Sequence, residues 1–193
     1  MLYVKPTGGL GNYLRVIFSW LKRARGFNQP LTVVWERTAA CNGYYEDLFE
    51  PVRDLTIVHW TTKPLNYEGC DPCGDYSLVR ELALKVELPI ETRAAIHVRG
   101  TDLCTPDYKP FEQFIEGCEG EVFLATDDIV TQRHFITKYP GRIKIHAEIT
   151  GKGLRQTSLR MAAMDLFTCS KAERFLGTKN SSFTDIIESL RGN

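Results

Sequence analysis

Short apolar runs alternate along this chain with stretches whose apolar residues recur every third or fourth position. The first run, Leu2-Tyr3-Val4, precedes a segment in which Leu14, Ile17, Phe18 and Leu21 share one face of a helix. Next come Leu31-Thr32-Val33-Val34-Trp35 and Thr56-Ile57-Val58-His59-Trp60, separated by an irregular stretch that ends at Glu50-Pro51. Residues 61 to 75 hold Thr-Thr-Lys-Pro, Cys-Asp-Pro-Cys and Gly74 and read as a long loop, whereas the spacing from Tyr76 to Glu87 predicts a helix. From Arg93 the pattern becomes regular. Strands are predicted at Arg93 to Val98, Glu121 to Ala125, Arg142 to Ile145 and Arg174 to Gly177, with helices around Pro110 to Gly117, Ile129 to Tyr139, Leu154 to Thr168 and Phe183 to Leu190.

Such alternation argues for an α/β fold with mainly parallel sheets, because parallel neighbours need a crossover and a helix usually supplies it. The restart after Leu88-Pro89-Ile90 divides the chain into residues 1–90 and 91–193. Each half is near the low end for an independent domain, so a continuous interface between them and a single domain are both open.

Charge and composition narrow the classes. Lys plus Arg and Asp plus Glu both number 24, so no global field draws in nucleic acid or an anionic membrane, and any anion must be bound locally. No apolar run approaches the roughly 20 residues of a membrane-spanning helix. The N-terminal run is broken by Lys5 and Pro6 and does not read as a secretory signal, so a cytoplasmic protein is expected. Its six cysteines are then expected to be reduced. Cys70 and Cys73 have the spacing of a zinc knuckle but no second ligand pair accompanies them, so a turn is expected and no metal site.

Three segments carry the chemistry. Ala94-Ala95-Ile96-His97-Val98-Arg99-Gly100-Thr101-Asp102 is an apolar strand running into a cation and an acid. An open α/β sheet presents ligand-binding groups at this carboxyl edge. Arg99 offers a planar fork that matches two phosphate oxygens; the alternative is a structural ion pair with Asp102. Thr7-Gly8-Gly9-Leu10-Gly11-Asn12 sits at a strand-to-helix turn, where backbone N–H groups and the helix dipole favour a phosphate. It matches neither the dinucleotide fingerprint nor a Walker A loop. Ser181-Ser182-Phe183 opens the last helix, where serines serve as N-caps or bind a diphosphate.

Together with Leu124-Ala125-Thr126-Asp127-Asp128 and Ser158-Leu159-Arg160 followed by Asp165, these motifs resemble, in order and spacing, the fucosyltransferase superfamily. That superfamily includes α-1,6-fucosyltransferases, rhizobial Nod-factor fucosyltransferases and protein O-fucosyltransferases. The match is densest from His97 to about Leu190, and the Gly-Gly-Leu-Gly-Asn loop extends it to the N-terminus. The resemblance implies a reduced GT-B architecture, two Rossmann-like halves facing each other across a cleft. The implied activity is an inverting, metal-independent transfer of fucose or a related 6-deoxysugar from a GDP-sugar to a glycan hydroxyl, with no cofactor beyond the donor substrate. Eukaryotic members carry a membrane anchor, so a bacterial or viral origin fits this chain.

Roles follow from the same resemblance. Gly9, Gly11, Asn12, His97, Arg99, Asp165, Ser181 and Ser182 bind the donor, with Arg99 on the β-phosphate and Asp165 on the guanine N–H groups. His97 is equally readable as a packing residue, and Asp165 as a carboxylate satisfied by Arg160 or a backbone N–H. Asp102, Asp127 and Asp128 support the cleft, the last two as helix caps. Asp107 stands where the α-1,6 branch has its proposed base, with Asp102, Glu46 and Asp47 as alternatives. That branch has a second arginine directly after the first, and here Gly100 occupies the position. The departure keeps open a GDP-sugar-binding module with impaired catalysis. A hydrolase or phosphatase using Arg99 lacks a nucleophile elbow.

Overall fold

Two four-stranded parallel sheets, built in sequence order one after the other, make up the computed structural model, which describes residues 1–100, 107–150 and 156–192. The first sheet contains β1 (Leu2–Pro6), β2 (Leu31–Val34), β3 (Leu55–Val58) and β4 (Tyr67–Gly69), ordered β3-β2-β1-β4. The second contains β5 (Ala94–Val98), β6 (Val122–Thr126), β7 (Ile143–Lys144) and β8 (Arg174–Gly177), ordered β7-β6-β5-β8. Helices α1 (Leu10–Gly26), α2 (Lys109–Glu116), α3 (Ile129–Lys138), α4 (Leu159–Lys171) and α5 (Ser182–Arg191) join or cover them.

Register explains which face is buried. Leu2 pairs with Leu31 and Leu31 with Leu55, while Val4 pairs with Val33 and Val33 with Ile57, so apolar rows cross the first sheet on one face. Helix α1 packs there, and its other side meets α5 and a 3-10 turn at Ser77–Glu81. That double contact is why Tyr13, Val16 and Trp20 are buried along with the expected Leu14, Ile17, Phe18 and Leu21. The second sheet is covered on both faces: Ala94, Ile96, Val98, Val122 and Leu124 pack with Phe111, Ile115 and Phe135 from α2 and α3. On the opposite face, Ala95, Phe123 and Ala125 join α4, α5 and the first sheet in one continuous core. The last helix of the second half thus lies on the first half, fixed by Arg15 to Asp185 at 3.0 Å and by Arg80 Nε donating to Ser189 O.

Three expectations differ from this architecture. Only one 3-10 turn forms between Tyr76 and Glu87; from Leu82 the chain runs extended along residues 48–50, with Glu50 N–H donating to Ala83 O and Lys85 N–H to Leu48 O. Leu82 is therefore buried, and Leu84 and Leu88 partly buried, without a helix. The loop of residues 61 to 75 contains β4, whose Tyr67 pairs with Val4. Helix α4 starts at Leu159, capped by Ser158, not at Leu154, which lies outside the described residues. No helix among the described residues is long and apolar enough to cross a membrane.

Candidate active site

A cleft partly open to solvent lies at the carboxyl edge of the second sheet. The N-terminal ends of four helices border it: α1 through Gly9 to Gly11, α3 through Asp127, α4 through Ser158 and Leu159, and α5 through Ser181 to Phe183. Each N-terminus carries backbone N–H groups without an intrahelical acceptor and a partial positive charge. Asp128 accepts from Thr131 N–H at 2.8 Å and Ser158 from Met161 N–H at 3.1 Å, so α3 and α4 are capped. Helices α1 and α5 have no side-chain cap. Ser181 occupies the N-cap position of α5, yet its hydroxyl is fully buried without a hydrogen-bond partner. Burying a hydroxyl unpaired is costly, and a ligand oxygen in the cleft would relieve that cost.

The glycines have distinct reasons. Gly8 adopts φ +90°, a left-handed conformation that favours glycine. A Cβ on Gly11 would stand 2.6 Å from Phe183 N and 2.7 Å from Ser182 C, so its missing side chain lets the uncapped ends of α1 and α5 touch. The glycine loop thus brings two N–H-rich helix ends to one wall of the cleft.

His97 and Arg99 leave the end of β5. His97 is 5% exposed, its Nδ1 is 2.8 Å from Thr184 Oγ1 and its ring lies 4.8 Å from Phe183. It packs against α5 and also borders the cleft, combining the two readings. Arg99 donates its N–H to Thr178 Oγ1 at 3.0 Å, and that hydroxyl donates to His97 O at 3.1 Å, so β8 clips the exit of β5. The sequence pattern gave no sign of Thr178.

Asp165 lines the cleft from α4, on the same stripe as Ser158 and Ala162. It is 7% exposed, and among the described residues no hydrogen bond or ion pair reaches its carboxylate. Neither Arg160 nor a backbone N–H satisfies it. Burial pushes its pKa well above the ordinary carboxyl range. An acceptor in this state favours a ligand that brings N–H donors.

The other expected residues divide between the cleft and its surroundings. Asn12 is not part of the cleft lining; its Oδ1 accepts from Arg15 at 2.9 Å beside the α1–α5 seam. Asp127 borders the cleft and accepts from Gly100 N–H at 3.2 Å, while Asp128 is committed to Thr131. Asp107 is exposed, accepts from Lys109 N–H at 3.0 Å at the start of α2, and does not line the cleft. Asp102 falls outside the described residues. Among the described residues no cluster of three or more His, Cys, Asp or Glu is arranged to hold a metal. From the first half, Ala39, Ala40 and Asn42 complete the lining, with Asn42 Oδ1 accepting from Leu159 N–H at 3.2 Å. Their loop carries no motif that could have announced them.

No protein-family model matches the chain, and no curated protein matches it in sequence. Solved structures do match by fold. The fucosyltransferase NodZ from Bradyrhizobium aligns with a TM-score of 0.66 at 13% identity, over 97% of this chain and 92% of that one. NodZ α-1,6-fucosyltransferase co-crystallized with GDP gives 0.62 at 13% identity, over 97% and 91%. The same enzyme soaked with GDP-fucose gives 0.62 at 14%, over 98% and 92%. At these identities the likeness defines the architecture: the chain has the two-sheet GT-B fold of a fucosyltransferase.

Proposed function

We propose that the protein is a glycosyltransferase that takes a GDP-linked sugar, fucose or a related 6-deoxysugar, and transfers it to a glycan hydroxyl with inversion and without a metal. One observation carries the reading: a single cleft is lined by a buried carboxyl that lacks a hydrogen-bond donor, by Arg99 and by two helix N-termini without side-chain caps. Guanine supplies N1–H and an exocyclic amine, the donors that Asp165 lacks. A diphosphate supplies the negative oxygens that Arg99, Ser181 and the ends of α1 and α5 favour. The GDP and GDP-fucose complexes of the NodZ fold support the same choice of ligand.

In the proposed reaction the acceptor oxygen attacks the anomeric carbon as the bond to the β-phosphate oxygen breaks, and the electron pair leaves with GDP. Arg99 and the helix N–H groups stabilise the growing charge on the leaving group, a contribution that often dominates such catalysis. Asp107 is the proposed base, on its spacing in the sequence; an acceptor approaches from outside the donor cleft, where a residue beyond the lining can act.

Melting the protein with GDP, UDP and ADP tests the ligand class. Ligand at about 100 times its Kd stabilises by roughly 2.7 kcal/mol, and only GDP is expected to do so. Equal shifts with all three would remove guanine recognition. A second reading, a GDP-sugar-binding module with impaired catalysis, draws on Gly100. A Cβ there would stand 2.7 Å from Asp128 Cβ, so the packing leaves no room for a second arginine. Release of GDP from GDP-fucose in the presence of enzyme favours the transferase; binding without release favours the module.

A further inference from the structure

Resting on the glycosyltransferase reading above, we propose that Arg37, Tyr44, Glu46 and His59 form a carbohydrate-binding shelf beside the donor cleft, holding a sugar unit of the acceptor glycan next to the one that is modified. These residues stand at the carboxyl edge of the first sheet: Arg37 just beyond β2, His59 just beyond β3, and Tyr44 and Glu46 in the segment between those strands. The same segment reaches the cleft. Thr38 and Cys41 exchange backbone hydrogen bonds at 3.1 Å, which puts Ala39 and Ala40 at the tip of a tight turn, and both line the cleft with Asn42. Tyr44 is two residues beyond Asn42. Their Cα atoms are therefore at most about 7 Å apart, within the reach of a short oligosaccharide.

The four side chains touch one another and stay open to solvent. The Tyr44 and His59 rings meet edge to face at 4.8 Å. The Arg37 guanidinium lies 4.8 Å from the centre of the Tyr44 ring, and its Nη1 donates to Tyr44 Oη at 3.2 Å. His59 Nδ1 is 3.3 Å from Trp35 O, and Nε2 is 3.5 Å from Glu46 Oε1. Tyr44 is 39% exposed, and close to half of the His59 and Glu46 side chains is exposed as well. Folding of the segment does not depend on them. Tyr13 Oη donates to Glu36 O at 2.9 Å and Trp35 Nε1 to Gly43 O at 2.8 Å, while Tyr45 is buried against Trp35 and Phe49. Among the described residues no acid pairs with Arg37, which leaves N–H donors for a ligand. A pyranose presents apolar C–H faces and a rim of hydroxyls. Aromatic rings take the faces, a guanidinium donates to the hydroxyl oxygens, and a carboxylate accepts from the hydroxyl protons. A protein partner calls for a broader apolar patch than two rings flanked by opposite charges.

Wild-type protein with GDP, applied to an array of immobilised short oligosaccharides, tests the shelf. The wild type should be retained on a subset of them. Tyr44→Ala and Arg37→Ala should each bind that subset about tenfold or more weakly, and Tyr44→Phe, which keeps the ring, should bind more tightly than Tyr44→Ala. All three variants should keep the wild-type melting shift with GDP, since neither residue lines the donor cleft. Retention of no oligosaccharide by the wild type, or equal retention of the wild type and both alanine variants, would overturn the proposal while leaving the GDP reading intact. Loss of the GDP shift in Arg37→Ala would overturn it too, by making Arg37 part of the donor site. Self-association abolished by the same substitutions, without glycan retention, would make the patch a protein contact instead. Glycan binding that depends on Tyr44 and Arg37, in a wild-type protein that gives no GDP shift, would support the shelf and remove the GDP reading. Arg37 is exposed, so its variant decides even if a Tyr44 variant does not fold.

Discussion

Replacing Asp165 with asparagine should stabilise the ligand-free protein while removing its response to GDP, two effects of opposite sign from one substitution. The carboxyl is 7% exposed and has no hydrogen-bond or ion-pair partner among the described residues, so the folded protein must either hold a buried charge that nothing local offsets or keep the group protonated, and either costs stability. An unsatisfied buried acceptor costs about 1–3 kcal/mol, more when charged. Asparagine keeps the shape and sheds the charge but remains an unpaired polar group, so a net gain of about 1 kcal/mol is expected at neutral pH. For a chain of this size that is about 2–4 °C in Tm. The pH dependence has a definite sign. Because burial raises the folded-state pKa above the unfolded value, the folded state binds the extra proton. Wild-type stability then falls as pH rises from about 4, the ordinary carboxyl value, through the raised value, and levels off above it. The variant should lack this loss. Differential scanning fluorimetry of both proteins across pH, with and without GDP, reads all of these quantities. A lower Tm for Asp165→Asn without ligand would mean that the carboxylate is satisfied in the native state. An undiminished GDP shift would mean that guanine is read elsewhere.

Arg99→Lys should cut GDP-fucose turnover by about 100-fold or more although charge is retained, because an ammonium cannot reproduce the two-pronged contact; a fully active variant would make Arg99 structural. Asp107→Asn should slow transfer by about 100-fold with GDP affinity unchanged, and unimpaired transfer would move the base to another acid or to the departing phosphate. Activity should survive EDTA; loss restored by manganese or magnesium would contradict the metal-free mechanism. Gly11→Ala should lower stability by about 1–3 kcal/mol, since the new methyl would sit 2.6 Å from Phe183 N, and an unchanged melt would show that α1 and α5 separate easily.

Much of the fold was legible because its signals are local. The run Ala94 to Val98 is buried residue by residue, so nothing but a central strand fits it, and the same holds for Val122 to Thr126. Gly-Gly-Leu-Gly at a strand-to-helix turn likewise fixes where α1 begins. What misled the reading was apolar spacing satisfied by tertiary contact: Leu82 and Leu84 are spaced for a helix or a strand, and pairing with residues 48–50 decided for extended chain. Strand β4 is three residues of Tyr-Glu-Gly, carrying no β signal of its own and existing because Val4 offers an edge.

The site divides in the same way, and the division has a physical cause. Of the residues that line the cleft directly, Gly11, Arg99 and Ser181 stand at strand or helix ends and Asp165 on one face of α4, and all were visible as motifs. Residues that reach the cleft through another segment were not. Thr178 serves by clipping Arg99, Thr184 by bonding His97, and Asn42 by joining a loop of the first half to the start of α4. Each partnership spans a long stretch of sequence, and no spacing rule encodes it. Gly100 is the case where the two kinds of information meet. From sequence it was a missing cation. In the fold its bare backbone approaches Asp128 and donates to Asp127, so the same residue that removes an arginine from beside the phosphate positions a carboxylate in the cleft. The loss of one positive group is accompanied by two uncapped helix ends facing the same space. A diphosphate there would be held chiefly by N–H dipoles and a single guanidinium.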